Sequence, residues 1–279
     1  MTKLSSTSAL VLLWAGKECY QSERAQNYLS RLELEEGREL YGQCRDIWPH
    51  YDEVIKNRKF GVFRLIEACC SDEVAGRQMV IVGAGLDALG IEVAERYPRV
   101  TVFELDQENM GLKSGLLAHP GGVSESKIHC IEADLLNSES VERGLTAAGW
   151  DVKKPTGLVL EGISYYLTTE SIQSLVRLVK PQWAIFEFLK PDEDIASGRA
   201  DIPRKVFGTI ARQCRLPQIR RYHHSDVEEI LNMAVVDRYS MMRLERMRTG
   251  SNRYFPTEAS GWIEVCLLQN REDQYRRRV

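Results

Sequence analysis

The sequence predicts an α/β fold: a doubly wound, mainly parallel sheet of seven strands, preceded by a helical segment and interrupted late by an insertion. Three observations predict it. From residue 79 onward, short and nearly continuous apolar runs alternate with segments of helical spacing, the texture of parallel strands covered on both faces. The first run opens into a glycine-rich turn, "VGAGLDA", as in Rossmann-like nucleotide-binding halves. Two further strand-like runs, "VVDRYSMMRLERM" and "GWIEVCLLQN", add an antiparallel edge hairpin, an ending that NAD-binding Rossmann domains usually lack.

The elements follow in chain order. Residues 1–72 show helical spacing without strand alternation, with Leu29, Leu32 and Leu40 around "RLELEEGREL", and read as a helical N-terminal cap. Residues 73–279 form the sheet domain. Its first five strands are "MVIVGAG", "VTVFELD", "KIHCIEAD", "GLVLEG" and "WAIFEFL", with helices expected over 87–96, about 107–118, 138–148 and 169–179. A polar, basic stretch then begins a lid insertion at about 191–230. Within it "SDVEEILNMA" is expected to be a helix, with Ser225 and Glu228 as a capping box.

Composition excludes several classes. The apolar fraction is 43%, the charged fraction 28% and the net charge −3, so no global field favours nucleic acid or a membrane surface. Seven scattered cysteines without a CxxC read as free thiols rather than a disulfide framework, and no metal site is expected. "ALVLLWA" is too short to span a bilayer, and the chain reads as cytosolic, hence cytoplasmic.

The glycine turn carries the first candidate site. Gly83 and Gly85 allow positive φ and close approach of a ligand to the backbone, and the helix N-terminus behind them suits an anionic group. The pattern GxGxxA satisfies the dinucleotide fingerprint too, so the turn alone leaves NAD and S-adenosylmethionine open. The acids favour the methyl donor. Asp106 ends the second strand, where a carboxylate can accept ribose hydroxyls. Asp134 and Leu135 end the third, where an acid and an apolar side chain suit adenine.

Residues 145–176, "LTAAGWDVKKPTGLVLEGISYYLTTESIQSLV", resemble the leucine carboxyl methyltransferase family and its bacterial small-molecule O-methyltransferase relatives. So do the "GxGxD" turn of Gly83, Gly85 and Asp87, the "E-x-D" of Glu104 and Asp106, and the "aDL" of Asp134 and Leu135. The resemblance covers roughly residues 50–190. It implies a class I methyltransferase sheet binding S-adenosylmethionine, with Gly83 and Gly85 facing the methionine part, Asp106 the ribose, and Asp134 and Leu135 the adenine. It further implies Glu161 beside the methionyl amino group, Tyr165 near the reacting methyl, and Arg58 of "KNRKFGV" on the cofactor's carboxylate. Three departures stand out: Leu89 replaces a family arginine, "RKFGVF" replaces "RTxxxD", and "QEN" follows Asp106 where a proline is usual.

The acceptor is read from the lid. Residues 199–221 hold seven basic residues against Asp201 alone, and a basic lid would orient a carboxylate, which needs no general base at neutral pH. Arg220 and Arg221 are the candidate anchors. His223, or its neighbour His224, is the candidate base should a hydroxyl be methylated instead. The expected activity is therefore O-methylation of a small carboxylate-bearing metabolite. A protein C-terminal carboxylate or a hydroxyl is the alternative acceptor, and an NAD-dependent oxidoreductase or an inactive S-adenosylmethionine-binding protein the more remote alternative. Glu187 and Glu264, inside apolar strand runs, receive no chemistry.

Overall fold

A computed structural model describes residues 6–70, 77–118, 127–214 and 219–271. The expected boundary at 72/73 and Arg215 lie outside the described residues. Four helices come first: α1 (Ser6–Ala15), α2 (Glu23–Leu29), α3 (Glu35–Ile47) and the long α4 (Tyr51–Cys70). Then strands and helices alternate: β1 (Gln78–Val82), α5 (Leu89–Arg96), β2 (Thr101–Asp106), α6 (Met110–Leu117), β3 (Ile128–Glu132), α7 (Ser138–Ala147), β4 (Thr156–Leu160), α8 (Thr169–Val179) and β5 (Trp183–Leu189). The chain ends with α9 (Asp201–Cys214), α10 (Val227–Leu231), β6 (Ala234–Ser240), α11 (Met241–Thr249) and β7 (Ile263–Gln269).

The seven strands form one sheet in the order β3-β2-β1-β4-β5-β7-β6. The first five run parallel, and β7 lies antiparallel between β5 and β6. β1, β4 and β5 are buried along their whole length because helices cover both sheet faces. Alternate side chains divide the core accordingly. Met79, Ile81, Val159 and Ile185 pack with the N-terminal helices. Val80, Val82, Leu158, Leu160 and Phe186 pack under α7, α8 and α10. The order reverses between β1 and β4, the switch point at whose carboxyl edge such sheets bind ligands.

Two late expectations are corrected. The run "VVDRYSMMRLERM" is a strand only as far as Ser240. Its hydroxyl accepts from the Arg243 N–H, starting α11, which Gly250 ends at φ 80°, a serine-to-glycine bracket that outweighs the apolar content. The Ser225–Glu228 capping box does not form. Ser225 donates to Asp226, and the Glu228 carboxylate accepts the Val235 N–H instead. Among the described residues no helix is long and apolar enough to cross a membrane, and all seven cysteines are free.

Candidate functional site

The carboxyl ends of β1, β2 and β4 open into a cavity of about 550 Å³, within the range of roughly 300–1,000 Å³ for small-molecule sites. Its floor is the turn after β1. The Gly83 and Ala84 N–H groups both donate to Leu105 O, at 2.8 and 3.1 Å, which pins the turn to β2. Gly83 and Gly85 sit at φ 69° and 49°, where L side chains are strained. A Cβ on Gly83 would come within 2.7 Å of Ile163, and one on Gly85 within 3.0 Å of Ser8 Oγ. The second contact shows how closely α1 covers the turn.

Asp106 is both a wall of the cavity and a fastener. Its Oδ2 accepts from Gly85 N at 2.8 Å, and its Oδ1 from Gln107 N and Glu108 N at 2.7 and 3.3 Å. A carboxylate offers about four acceptor positions, so these bonds leave room for a ligand hydroxyl. Burial raises its pKa and the three N–H groups oppose that.

Across the cavity stands a buried ionic cluster. Arg58 and Lys59, both on α4, converge on Glu161 at the end of β4. Arg58 Nε donates to Oε1 at 3.0 Å, and Lys59 Nζ reaches Oε1 at 2.9 and Oε2 at 3.0 Å. Lys59 also meets Asp87 Oδ2 at 2.5 Å, to which Tyr20 donates at 2.8 Å. Burial would raise the Asp87 carboxyl, but Lys59, with Lys113 and the Tyr20 hydroxyl, outweighs it and the pKa is lowered. Asp87 Oδ1 accepts the Leu89 N–H at 2.8 Å. The protein's own carboxylate thus occupies the N-terminus of α5, the position the sequence offered to an anionic group.

Behind Glu161, Glu187 is fully buried. Its Oε2 accepts the Gly162 N–H at 2.6 Å and its Oε1 has no partner. Burial pushes its pKa up to about 7, against the opposing pull of Arg58. Tyr165 is buried on the far side of Arg58, its hydroxyl accepting from Nη1 at 3.3 Å. Burial lifts its pKa well above the usual phenol range.

The structure therefore brings Arg58, Gly83, Gly85, Asp87, Asp106, Leu135, Glu161 and Tyr165 to one cavity. Glu104 reaches it only from below, being fully buried and paired with Lys113 at 2.8 Å. Asp134 is exposed and lies off the lining. Its Oδ1 accepts from Leu136 N at 3.0 Å and Gln107 Nε2 at 3.1 Å, so it shapes the loop that presents Leu135 and the 60% exposed Leu136. The lid candidates are elsewhere. Arg220 and Arg221 line a separate depression, with Arg221 bound to Lys190 O and Asp192 at 2.8 Å each. His223 faces Asp194 at 3.2 Å, toward solvent. What Arg220 gives the cavity is its backbone N–H, which holds Tyr165 O at 2.9 Å.

Several participants escaped sequence reasoning. Lys59 sat beside Arg58 in a helix with an apolar face, and two adjacent cations there signal buried partners. Lys113, fully buried, ties Glu104 to Asp87 O at 2.5 Å, and a lone lysine in "MGLKSGLL" was the available sign. Tyr20 and Tyr28, which bonds Leu86 O at 3.1 Å, gave no local signal.

Comparison with known proteins agrees with this architecture. The family model for leucine carboxyl methyltransferase matches residues 23–180. A candidate S-adenosyl-L-methionine-dependent methyltransferase of Mycobacterium tuberculosis is 36% identical over 107 residues, 38% of this chain and 34% of that one. Another from Mycobacterium avium is 38% identical over 100 residues, 36% and 32% of the two chains. The match thus spans about a third of the length of these curated relatives. A DUF574 family protein from Streptomyces avermitilis superposes with a TM-score of 0.67 at 15% identity, covering 95% of this chain and 97% of that one. A candidate methyltransferase from Thermobifida fusca gives 0.62 at 17% identity, covering 85% and 88%. At such identities the likeness is one of fold.

Proposed function

The chain belongs to the leucine carboxyl methyltransferase family, and from that premise we propose that it is an S-adenosylmethionine-dependent methyltransferase acting on an oxygen of a small-molecule acceptor. One observation carries the reading: the glycine turn, Asp106 and the Arg58–Lys59–Glu161 cluster border a single ligand-sized cavity. Its residues fit the cofactor. Among the described residues five carboxylates (Asp87, Glu104, Asp106, Glu108 and Glu161) against two cations line it, which suits a sulfonium and an ammonium group. NAD fits less well, because a pyrophosphate needs the N-terminus of α5 that Asp87 fills.

In this reading Asp106 accepts from ribose, and Leu135 and Leu136 pack on adenine. Arg58 receives the carboxylate of the methionine part, while Glu161 receives its ammonium. S-adenosylmethionine supplies an electrophilic methyl group when bound. The chain's task is to orient the acceptor and keep water out, with residues 1–72 as cap and about 191–230 as lid. α1 and α9 cover the cavity from those two segments. A carboxylate acceptor rested on the basic lid. Since Arg220 and Arg221 line a different depression, that choice keeps only the family resemblance behind it, and a hydroxyl stands as the alternative.

Calorimetric titration of the full chain tests the proposal. S-adenosylhomocysteine should bind at one site and NAD should not. NAD binding without S-adenosylhomocysteine binding would replace methyl transfer with redox chemistry.

A further inference from the structure

The cavity has two chemically distinct halves, and the ionic cluster marks their border. Toward the glycine turn, Lys59 and Glu161 lead to Asp87 and Asp106. On the other side Arg58 touches Tyr165, and from there the lining is aromatic and aliphatic save for Gln213 and Cys214. Tyr165 packs edge-on against Phe207 at 5.0 Å and against Tyr166 at 4.8 Å. Trp14 of α1 and Tyr51 of α4, 4.6 Å apart, line the same cavity.

α9 forms the lid over this half, and its contribution is phased by the helical period. Phe207, Ile210, Gln213 and Cys214 line the cavity at spacings of three and four, one uncharged stripe of a helix. The basic residues of α9 lie outside that stripe. Arg204 pairs with Asp192 at 3.0 Å and also with Asp201, and Arg212 donates to Thr209 at 3.1 Å. Among the described residues two cations line the cavity, and both already serve Glu161 and Asp87. An anionic ligand moved into the aromatic half would lose its hydration against apolar walls and meet the surplus of carboxylates across the border. An uncharged ring system would bury apolar area against five aromatic side chains, with favourable stacking or edge contacts.

Resting on the methyltransferase reading, we propose that the half of the cavity walled by α1, α4, α9 and the Tyr165–Tyr166 pair is the acceptor subsite, and that it selects an uncharged, aromatic small molecule over a carboxylate of the same shape.

The test uses 2-naphthol and 2-naphthoate as probes, titrated at pH 7 into the full chain saturated with S-adenosylhomocysteine. The expected result is a Kd at least about tenfold lower for the naphthol. Ile210→Arg, which sets a cation into the stripe, should abolish or invert that preference, its fold being checked by circular dichroism. Should this variant fail to fold, Phe207→Leu should weaken naphthol binding several-fold. Equal or tighter binding of the naphthoate by the wild type, binding of neither probe, or a preference that survives Ile210→Arg in a folded protein would overturn the proposal. Failure of the methyltransferase reading shows itself separately, as absent S-adenosylhomocysteine binding while the naphthol preference persists in the unliganded chain.

Discussion

Replacing Glu187 by glutamine should stabilise the protein at pH 8 and leave it unchanged at pH 4.5. The carboxyl is fully buried on β5, has one oxygen on the Gly162 N–H at 2.6 Å and leaves the other without a partner. Burial raises its pKa from 4.5 to about 7, although Arg58, the Gly162 N–H and Lys59 all pull it down. With the proton in place, Arg58 and Lys59 balance Glu161 and Asp87. Without it, an unpaired negative charge sits in the core.

The folded-state pKa is raised, so between about 4.5 and 7 the folded protein holds a proton that the unfolded chain has lost. The associated stability is complete below 4.5 and is lost as pH rises through 7. At about 1.36 kcal/mol per pKa unit, the interval from 4.5 to about 7 amounts to roughly 3 kcal/mol. Glutamine keeps an oxygen for the Gly162 N–H and cannot ionise, so Glu187→Gln should abolish this term. Glu104, Asp106 and Glu264, whose pKa values are also raised by burial, act alike in both proteins and cancel in the difference. Urea unfolding followed by circular dichroism at several pH values between 4.5 and 8 reads the effect directly. A stability difference that stays flat with pH, or a variant less stable than wild type at pH 8, would refute the assignment of a buried, protonated Glu187.

Three further outcomes are expected. Asp106→Ala removes a half-buried carboxylate that accepts from three backbone N–H groups and, in the proposed reading, from ribose, and S-adenosylhomocysteine affinity measured by calorimetry should fall by about 1.5–3 kcal/mol or more; unchanged affinity in a folded variant would remove Asp106 from the site. Arg58→Ala should weaken the same binding, and Arg58→Lys should restore it only in part, because an ammonium cannot hold Glu161, Tyr165 and a ligand carboxylate with one planar fork; full rescue by lysine would place the carboxylate elsewhere. Arg221→Ala breaks the contacts to Lys190 O and Asp192, so it should cost on the order of 1 kcal/mol in urea unfolding and leave ligand affinity within about twofold, whereas a tenfold loss of naphthol or S-adenosylhomocysteine binding would return the lid arginines to the site.

How far the sequence could be read depended on the physical range of each signal. Strands such as "MVIV" and "WAIFEFL" were legible because burial on both faces leaves no polar position to obscure them. The glycine turn and Asp106 were legible because backbone conformation and strand ends are local properties. Tyr20, held by Asp87 across 67 residues of chain, was not, since nothing beside Tyr20 encodes the partner that the fold delivers. The lid is the instructive case, for its signal was present and was read as a sum. Counting the seven basic residues of 199–221 makes the segment basic. Phasing the three on α9, Arg204, Lys205 and Arg212, by the helical period sets Phe207, Ile210 and Cys214 on one stripe and these charges beside it. Charge steers a ligand only from the face that meets the ligand. A helix that hides its cations from the cavity reads by composition as an anion's lid and by geometry as the wall of an apolar one, and the choice between carboxylate and uncharged acceptor turns on that distinction.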